Sequence, residues 1–260
     1  MVMKSILIVG YGVVGKNIYK ELENLQPDIY DKFKVEYNTR KFIKYDFCFI
    51  CVDTPYIDKE NPCDITEVKH AIEENEAKIY IIKSTVLPGT TNYLNSLYYR
   101  KNIIFSPEYY GNTQHCNNFN FNFTILGGDK DSCIETQQLL QEVYDARHTF
   151  RIVDSTTAEF TKYMENGWLA HNVSFCNQMH ESIEKFNKIN GTNVKYEEVR
   201  DCWSLDERMP KSHTYVYREH PFFDSHCLNK DTQAYAEFLD VFLFKAMIEF
   251  NEMQKKKYQK

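Results

Sequence analysis

Two hydrophobic rhythms divide the chain. In the first 150 residues, short runs of almost wholly apolar positions alternate with stretches in which apolar residues recur every three or four places. Residues 5–9 (SILIV), 28–31, 46–52 (DFCFICV), 78–83 (KIYIIK), 102–105 and 123–127 read as strands. Runs apolar on both faces belong to parallel sheets covered on both sides. Between them, residues 13–25, 65–75 and 134–144 read as helices, the first ending near Pro27, and residues 84–91 read as a loop around Pro88 and Gly89. Strand alternating with helix predicts an α/β fold with a doubly wound parallel sheet of Rossmann type. After Asp154 the rhythm is helical throughout. Residues 156–189 form one long helix with Gly167 as its weak point, 194–203 a second, and 231–254 a final amphipathic one, while 206–223 is irregular. The expected organisation is a dinucleotide-binding domain over 1–153 and an all-helical domain over 154–260.

The chain carries a net charge of −6 and a pI near 5.8, which argues against general nucleic-acid binding. Its only basic run, Lys255-Lys256-Lys257, reads as a solvated, frayed tail. Residues 1–10 run straight into glycines with no small-residue cleavage site, so a strand is expected there rather than a leader. No apolar run reaches 18 residues. Eight cysteines at irregular spacing do not make a secreted disulfide framework. Cys48 and Cys51 lie three apart in one strand and so face opposite ways, which excludes a shared metal; no metal site is expected. These features together predict a cytoplasmic protein.

Gly10-x-Gly12-x-x-Gly15 follows a strand and opens a helix, the setting a dinucleotide fingerprint requires. Gly10 permits the tight turn, Gly12 lets a pyrophosphate approach the backbone, and Gly15 lets helix and strand pack closely. With Val13 and Val14, the helix N-terminus offers free N–H groups to phosphate. Asp31, closing the second strand, stands where an acid would bond the adenine ribose. An acid there favours NAD over NADP, because it repels a 2′-phosphate.

Several separated motifs then resemble one family, the UDP-glucose/GDP-mannose dehydrogenases. Val52-x-Thr54-Pro55, Lys83-Ser84-Thr85-Val86 with Pro88-Gly89-Thr90, Ser106-Pro107-Glu108-Tyr109, Glu159-x-x-Lys162-x-x-x-Asn166 and Cys227-x-x-Lys230-Asp231 occur in the family's order and rough spacing. The resemblance implies NAD as cofactor, a sugar-nucleotide substrate oxidised from primary alcohol to carboxylate, and a homodimer paired through the central helix. Three departures accompany it. The sequence ends after the helix near Gln254, implying a shortened form without the family's C-terminal nucleotide-binding domain. Phe223-Asp224-Ser225-His226 stands where the family has Gly-Gly before its cysteine, and Asn112 stands where it has a second Glu.

Under that resemblance, Cys227 is the nucleophile that forms a thiohemiacetal and then a thioester. Lys162 and Asn166, four apart on one helix, would stabilise an oxyanion. Asp231 would activate water or orient Lys162. Glu108 would be the base for thioester hydrolysis, and Thr85, with Thr54, would sit near the nicotinamide or a catalytic water. Two alternatives stand beside this reading: a two-electron hydroxyacid-type dehydrogenase, which needs no cysteine, and a non-catalytic dinucleotide-binding protein on the same scaffold. Trp168, Phe175, Phe238, Phe242 and Phe244 are the apolar residues expected at the dimer face.

Overall fold

The computed structural model describes residues 4–110, 121–209 and 212–258. Asn112 and Cys116 therefore lie outside the described residues. The framework forms two compact units, Met1–Lys162 and Tyr163–Lys260.

The first unit is built on one seven-stranded sheet. Its strands are β1 (Ile6–Val9), β2 (Asp28–Tyr30), β3 (Tyr45–Ile50), β4 (Ala77–Ile82), β5 (Asn102–Phe105), β6 (Phe123–Gly127) and β7 (Thr149–Val153), ordered β2-β1-β3-β4-β5-β6-β7. Every neighbouring pair is parallel except β5–β6, which is antiparallel and meets at the single pair Phe105–Gly127. Four helices cross over between strands: α1 (Val13–Leu22), α2 (Thr66–Glu73), α3 (Thr90–Leu97) and α4 (Lys130–Leu140). Side chains alternate across the sheet, so two cores form. Leu7, Val9, Cys48, Ile50, Tyr80 and Ile82 pack on one face, and Ile8, Phe47, Phe49, Cys51, Ile79 and Ile81 on the other. Cys48 and Cys51 are thus separated by the sheet. Burial pushes both thiols up, Cys51 to about 12, so neither is a nucleophile at neutral pH.

Two elements of this unit escape the hydrophobic pattern. α3 has no counterpart among the expected elements, which give a loop over 84–91 and nothing between it and the strand at 102. Its eight residues hold just two buried side chains, Thr91 and Leu94, too few for a visible period. β7 has no fully buried position, as befits an edge strand. α4 begins at Lys130 rather than 134 because Asp129 caps it, accepting from Ser132 N at 2.9 Å.

The helical part starts with α5 (Ser155–Asn190), which runs unbroken through Gly167. That glycine does not weaken the helix. A Cβ there would lie 2.2 Å from Phe244 Cζ, so its role is to admit an aromatic ring. The first turns of α5 belong to the sheet unit. Ala158 joins its core and Glu159 caps α3, which is why the compact unit reaches Lys162 and not 153. In the second unit follow α6 (Tyr196–Trp203), α7 (His226–Phe238) and α8 (Phe242–Tyr258). The single final helix expected over 231–254 is in fact α7 and α8, separated where Asp240 takes φ +54. α7 starts earlier than expected because Ser225 caps it, its hydroxyl accepting from Leu228 N at 3.2 Å. The lysine run is not frayed. It forms the last turn of α8, with Lys255 near Asp224 and Glu252, and Lys257 bonded to Glu181 at 2.5 Å. Cations at a helix C-terminus are favoured by its dipole.

Candidate functional site

The glycine turn joins β1 to α1. Gly10 has φ +89, and a Cβ on it would lie 2.6 Å from Cys51 O. A Cβ on Gly15 would lie 1.9 Å from Gly10 O. Gly12 differs: nothing lies within 4 Å of its Cβ position, so its backbone faces open space. It is the N-cap of α1, and no side chain caps that helix or puts an acid in its first turn. The N–H groups of Val13, Val14 and Gly15 are therefore not claimed by a side-chain cap, as a bound pyrophosphate requires.

Asp31 directly follows β2 and is 9% exposed. Its Oδ2 accepts from Tyr11 N at 2.7 Å, and its Oδ1 from Phe33 N at 2.8 Å and Lys34 N at 3.0 Å. Lys34 Nζ returns a bond to Tyr11 O at 2.7 Å. Burial alone would push this carboxyl up. The three N–H donors and the Lys34 charge outweigh it and hold it below the ordinary 3.8. Asp31 thus clasps the glycine turn to the end of β2, a role that spacing alone did not reveal.

The loops after β3 and β4 are stitched together. Ser84 Oγ donates to Val52 O at 2.6 Å, and Thr54 Oγ1 donates to Thr85 O at 2.7 Å. Thr54 is 2% exposed. It holds the Thr85 backbone in place, and this bond takes up the donor that the sequence reading offered to the cofactor. Glu159, fully buried, accepts from Gly89 N at 2.6 Å, Thr91 N at 2.8 Å and Thr91 Oγ1 at 2.7 Å. It caps α3 from α5, and burial raises its pKa against those bonds. Lys162, 5% exposed, donates from Nζ to Glu108 O at 2.5 Å and lies 3.9 Å from Glu108 Oε1. The other carboxylate oxygen of Glu108 accepts from Tyr110 N at 2.8 Å. Thr85, Glu108 and Lys162 all belong to the first unit.

Asn166, Asp231 and Cys227 belong to the second. Asp231, 1% exposed, accepts from Asn166 Nδ2 at 2.6 Å and Lys230 Nζ at 2.6 Å. Asn166 is therefore bonded to an acid, and Lys162, four residues earlier on α5, is bonded to a different one. Cys227 is exposed in the first turn of α7, one turn before Asp231. The segment before it is anchored. Phe223 exchanges two backbone bonds with the Asn251 side chain, both 2.9 Å, and its ring packs with Ala170 and Leu228. Cys202 is also exposed, whereas Cys48, Cys51, Cys63, Cys133 and Cys176 are buried. Among the described residues no cluster of three His, Cys, Asp or Glu could hold a metal, and no helix is long and apolar enough to cross a membrane.

Comparison with known proteins bears on the family and the fold. Residues 18–148 match the NAD binding domain of the UDP-glucose/GDP-mannose dehydrogenase family, and residues 156–253 match its central domain. A UDP-glucose 6-dehydrogenase from Campylobacter jejuni is 29% identical over 83% of this chain and 55% of its own length. The chain spans about half the length of the curated relatives it matches. Among solved structures, a UDP-glucose dehydrogenase from the archaeon Pyrobaculum islandicum superposes with a TM-score of 0.78 at 20% identity, covering 96% of this chain and 68% of that one. A Mycobacterium tuberculosis 3-hydroxyisobutyrate dehydrogenase gives 0.66 at 13% identity, covering 99% and 95%. These last two likenesses are of fold. The two matched domains, the Rossmann sheet with its glycine turn and the helical part that follows establish that the chain belongs to the UDP-glucose/GDP-mannose dehydrogenase family.

Proposed function

We propose that the chain takes part in NAD-dependent oxidation of a sugar nucleotide from primary alcohol to carboxylate, with Cys227 as the covalent nucleophile. One observation carries this reading. Cys227 is an exposed thiol in the first turn of a helix whose next turn holds Asp231, buried and bracketed by Asn166 and Lys230. A helix N-terminus favours a thiolate. The turn of Gly10, Gly12 and Gly15, the first N–H groups of α1 and Asp31 would hold the cofactor, and Asp31 favours NAD over NADP. NAD, when bound, would accept hydride from the substrate carbon, and the two oxidations would use two NAD in turn.

The protein's own residues handle protons and the acyl group. In the first oxidation the alcohol loses a hydride and a proton to give an aldehyde. The Cys227 thiolate adds to the aldehyde carbon, and its oxygen takes up a proton to give a thiohemiacetal. Loss of a second hydride and a proton yields a thioester. Water, with Glu108 as base, releases the carboxylate and restores the thiol. Lys162 and Asn166 supply an ammonium and an amide donor for the oxyanions of the covalent steps.

Brief iodoacetamide treatment read by peptide mass spectrometry tests the thiol. Cys227 is expected to label faster than Cys202, the other exposed cysteine among the described residues, and NADH is expected to slow only Cys227. Equal rates at the two sites would remove the covalent mechanism. The cysteine-independent alternative, a two-electron dehydrogenase, is favoured by one feature: the Asn166–Asp231–Lys230 cluster is complete without a thiol. Cys227→Ser separates the two, since it blocks acid formation in the first case and leaves NADH production in the second.

We also propose a homodimer paired through α5. Met164, Trp168, Phe175 and Met179 recur along the helix and are 79, 52, 45 and 38% exposed. Phe244 no longer belongs to that face, because it packs on Gly167 and Tyr235. Phe242, 82% exposed, stays available. Light scattering at micromolar concentration is expected to give twice the chain mass of 30.9 kDa. A monomer mass would refute pairing.

A further inference from the structure

On the face of the sheet covered by α1 and α4 lies a second set of charged groups that the proposed chemistry does not use. Lys83 extends β4 by one residue and is 8% exposed. Its Nζ donates to Ser106 Oγ at 3.1 Å and Pro107 O at 3.3 Å. Those two residues immediately precede Glu108. Glu21, on α1, accepts from the hydroxyls of both Tyr110 and Tyr144. Burial and the adjacent Glu21 carboxylate push both phenols up, so they stay protonated donors. Glu21, Lys83, Ser106, Thr124, Thr136 and Tyr144 line one small cavity between α1, α4 and the sheet.

We propose that Lys83, balanced by Glu21, is a positioning residue that fixes the turn carrying Glu108. A buried ammonium is costly unless opposed by an anion and given acceptors. Burial lowers the pKa of Lys83, and Glu21 is the foremost group opposing that fall, ahead of Cys51 and Glu108. Lys83 spends its bonds on the Ser106-Pro107 backbone and hydroxyl. Lys162 holds the next carbonyl, Glu108 O. Two lysines from different elements thus grip successive peptide units, and Tyr110 closes the arrangement twice. Its N–H donates to Glu108 Oε2 and its hydroxyl donates to Glu21. An apolar residue at 83 would fill the same space and grip nothing. This inference rests on Glu108 being the base of the proposed reaction for its purpose, but not for its geometry.

Amide hydrogen exchange on the full chain tests the geometry without reference to activity. Lys83→Met is expected to raise exchange at the Tyr110 amide at least tenfold while the amides of residues 79–82 stay protected. Glu21→Gln, which keeps its shape, should loosen the same amide, and the double variant should be no looser than Lys83→Met alone. Glu21→Gln carries the test if Lys83→Met does not fold. Uniform loss of protection across β4 and β5 would show a merely structural lysine and overturn the proposal. So would an unchanged Tyr110 amide, or additive effects in the double variant. If wild-type protein oxidises a sugar nucleotide, Glu21→Gln should lower kcat and leave KM for NAD unchanged. A local change at Tyr110 in a protein that oxidises nothing would uphold the positioning and sink only the role given to Glu108.

Discussion

Gly15→Ala is expected to cost about 3 kcal/mol of stability or more and to abolish NADH binding, because overpacking against backbone has no cheap relief. The new Cβ would meet Gly10 O at 1.9 Å and Ile8 Cγ2 at 3.5 Å. Neither α1 nor the turn can yield without the other, since Gly10 N is bonded to Tyr30 O at 2.8 Å and its own Cβ position is closed by Cys51 O. Gly12→Ala is the control. Nothing in the protein opposes that methyl, so the variant should melt with wild type and lose cofactor affinity alone. Thermal unfolding and NADH fluorescence titration of both variants check the pair. If Gly12→Ala binds NADH as wild type does, the cradle does not hold a pyrophosphate.

Asp31→Ala is expected to lower stability by about 2–4 kcal/mol and to weaken NADH more than NADPH. The variant leaves the N–H groups of Tyr11, Phe33 and Lys34 without their acceptor. The turn lies at the surface, so water recovers part of the loss. The pH dependence has a defined sign. A carboxyl held below its ordinary 3.8 contributes stability above that value and loses it as pH falls through the lower, folded-state value. The difference between wild type and Asp31→Ala should therefore be constant from neutral pH down to about pH 5 and shrink only below about pH 4. Denaturant melts at pH 7, 5 and 3.5 measure it. A difference that grew on acidification would mean the carboxyl is strained rather than clasped.

The sheet and its glycine turn were legible in the sequence because their causes are local. Strand runs such as 46–52 are apolar on both faces, and Gly10, Gly12 and Gly15 sit where strand meets helix. α3 and β7 were not legible, because neither buries enough side chain to show a period. α3 depends on Glu159, some seventy residues away in sequence, for its cap. The split between α7 and α8 hid behind continuous helical periodicity, since one residue at positive φ carries it. The site shows the same division. Family motifs located Glu108, Lys162, Asn166, Cys227 and Asp231, but motifs do not say which acid each donor faces. Lys162 meets Glu108 and Asn166 meets Asp231, a pairing that only three-dimensional placement supplies. Lys83 opens one of the family motifs, Lys83-Ser84-Thr85-Val86, but the motif says nothing of what its ammonium holds; Glu21 had no signal beyond that of an ordinary surface position on α1.

The lone antiparallel junction between β5 and β6 has a consequence for temperature. Strands β1 to β5 share long parallel ladders, and β6 and β7 share another, but one residue pair joins the two sets. Beyond two polar ties, Lys78 to Glu135 and Tyr144 to Glu21, what holds them is apolar contact: Leu126, Cys133, Leu139 and Leu140 pack in the same core as Ile79, Ile81 and Ile104. Apolar attraction weakens on cooling, whereas a backbone ladder does not depend on it. The β6–α4–β7 segment is thus the part of the sheet least protected against cold, and chilling rather than warming is the condition under which it would part from the rest first.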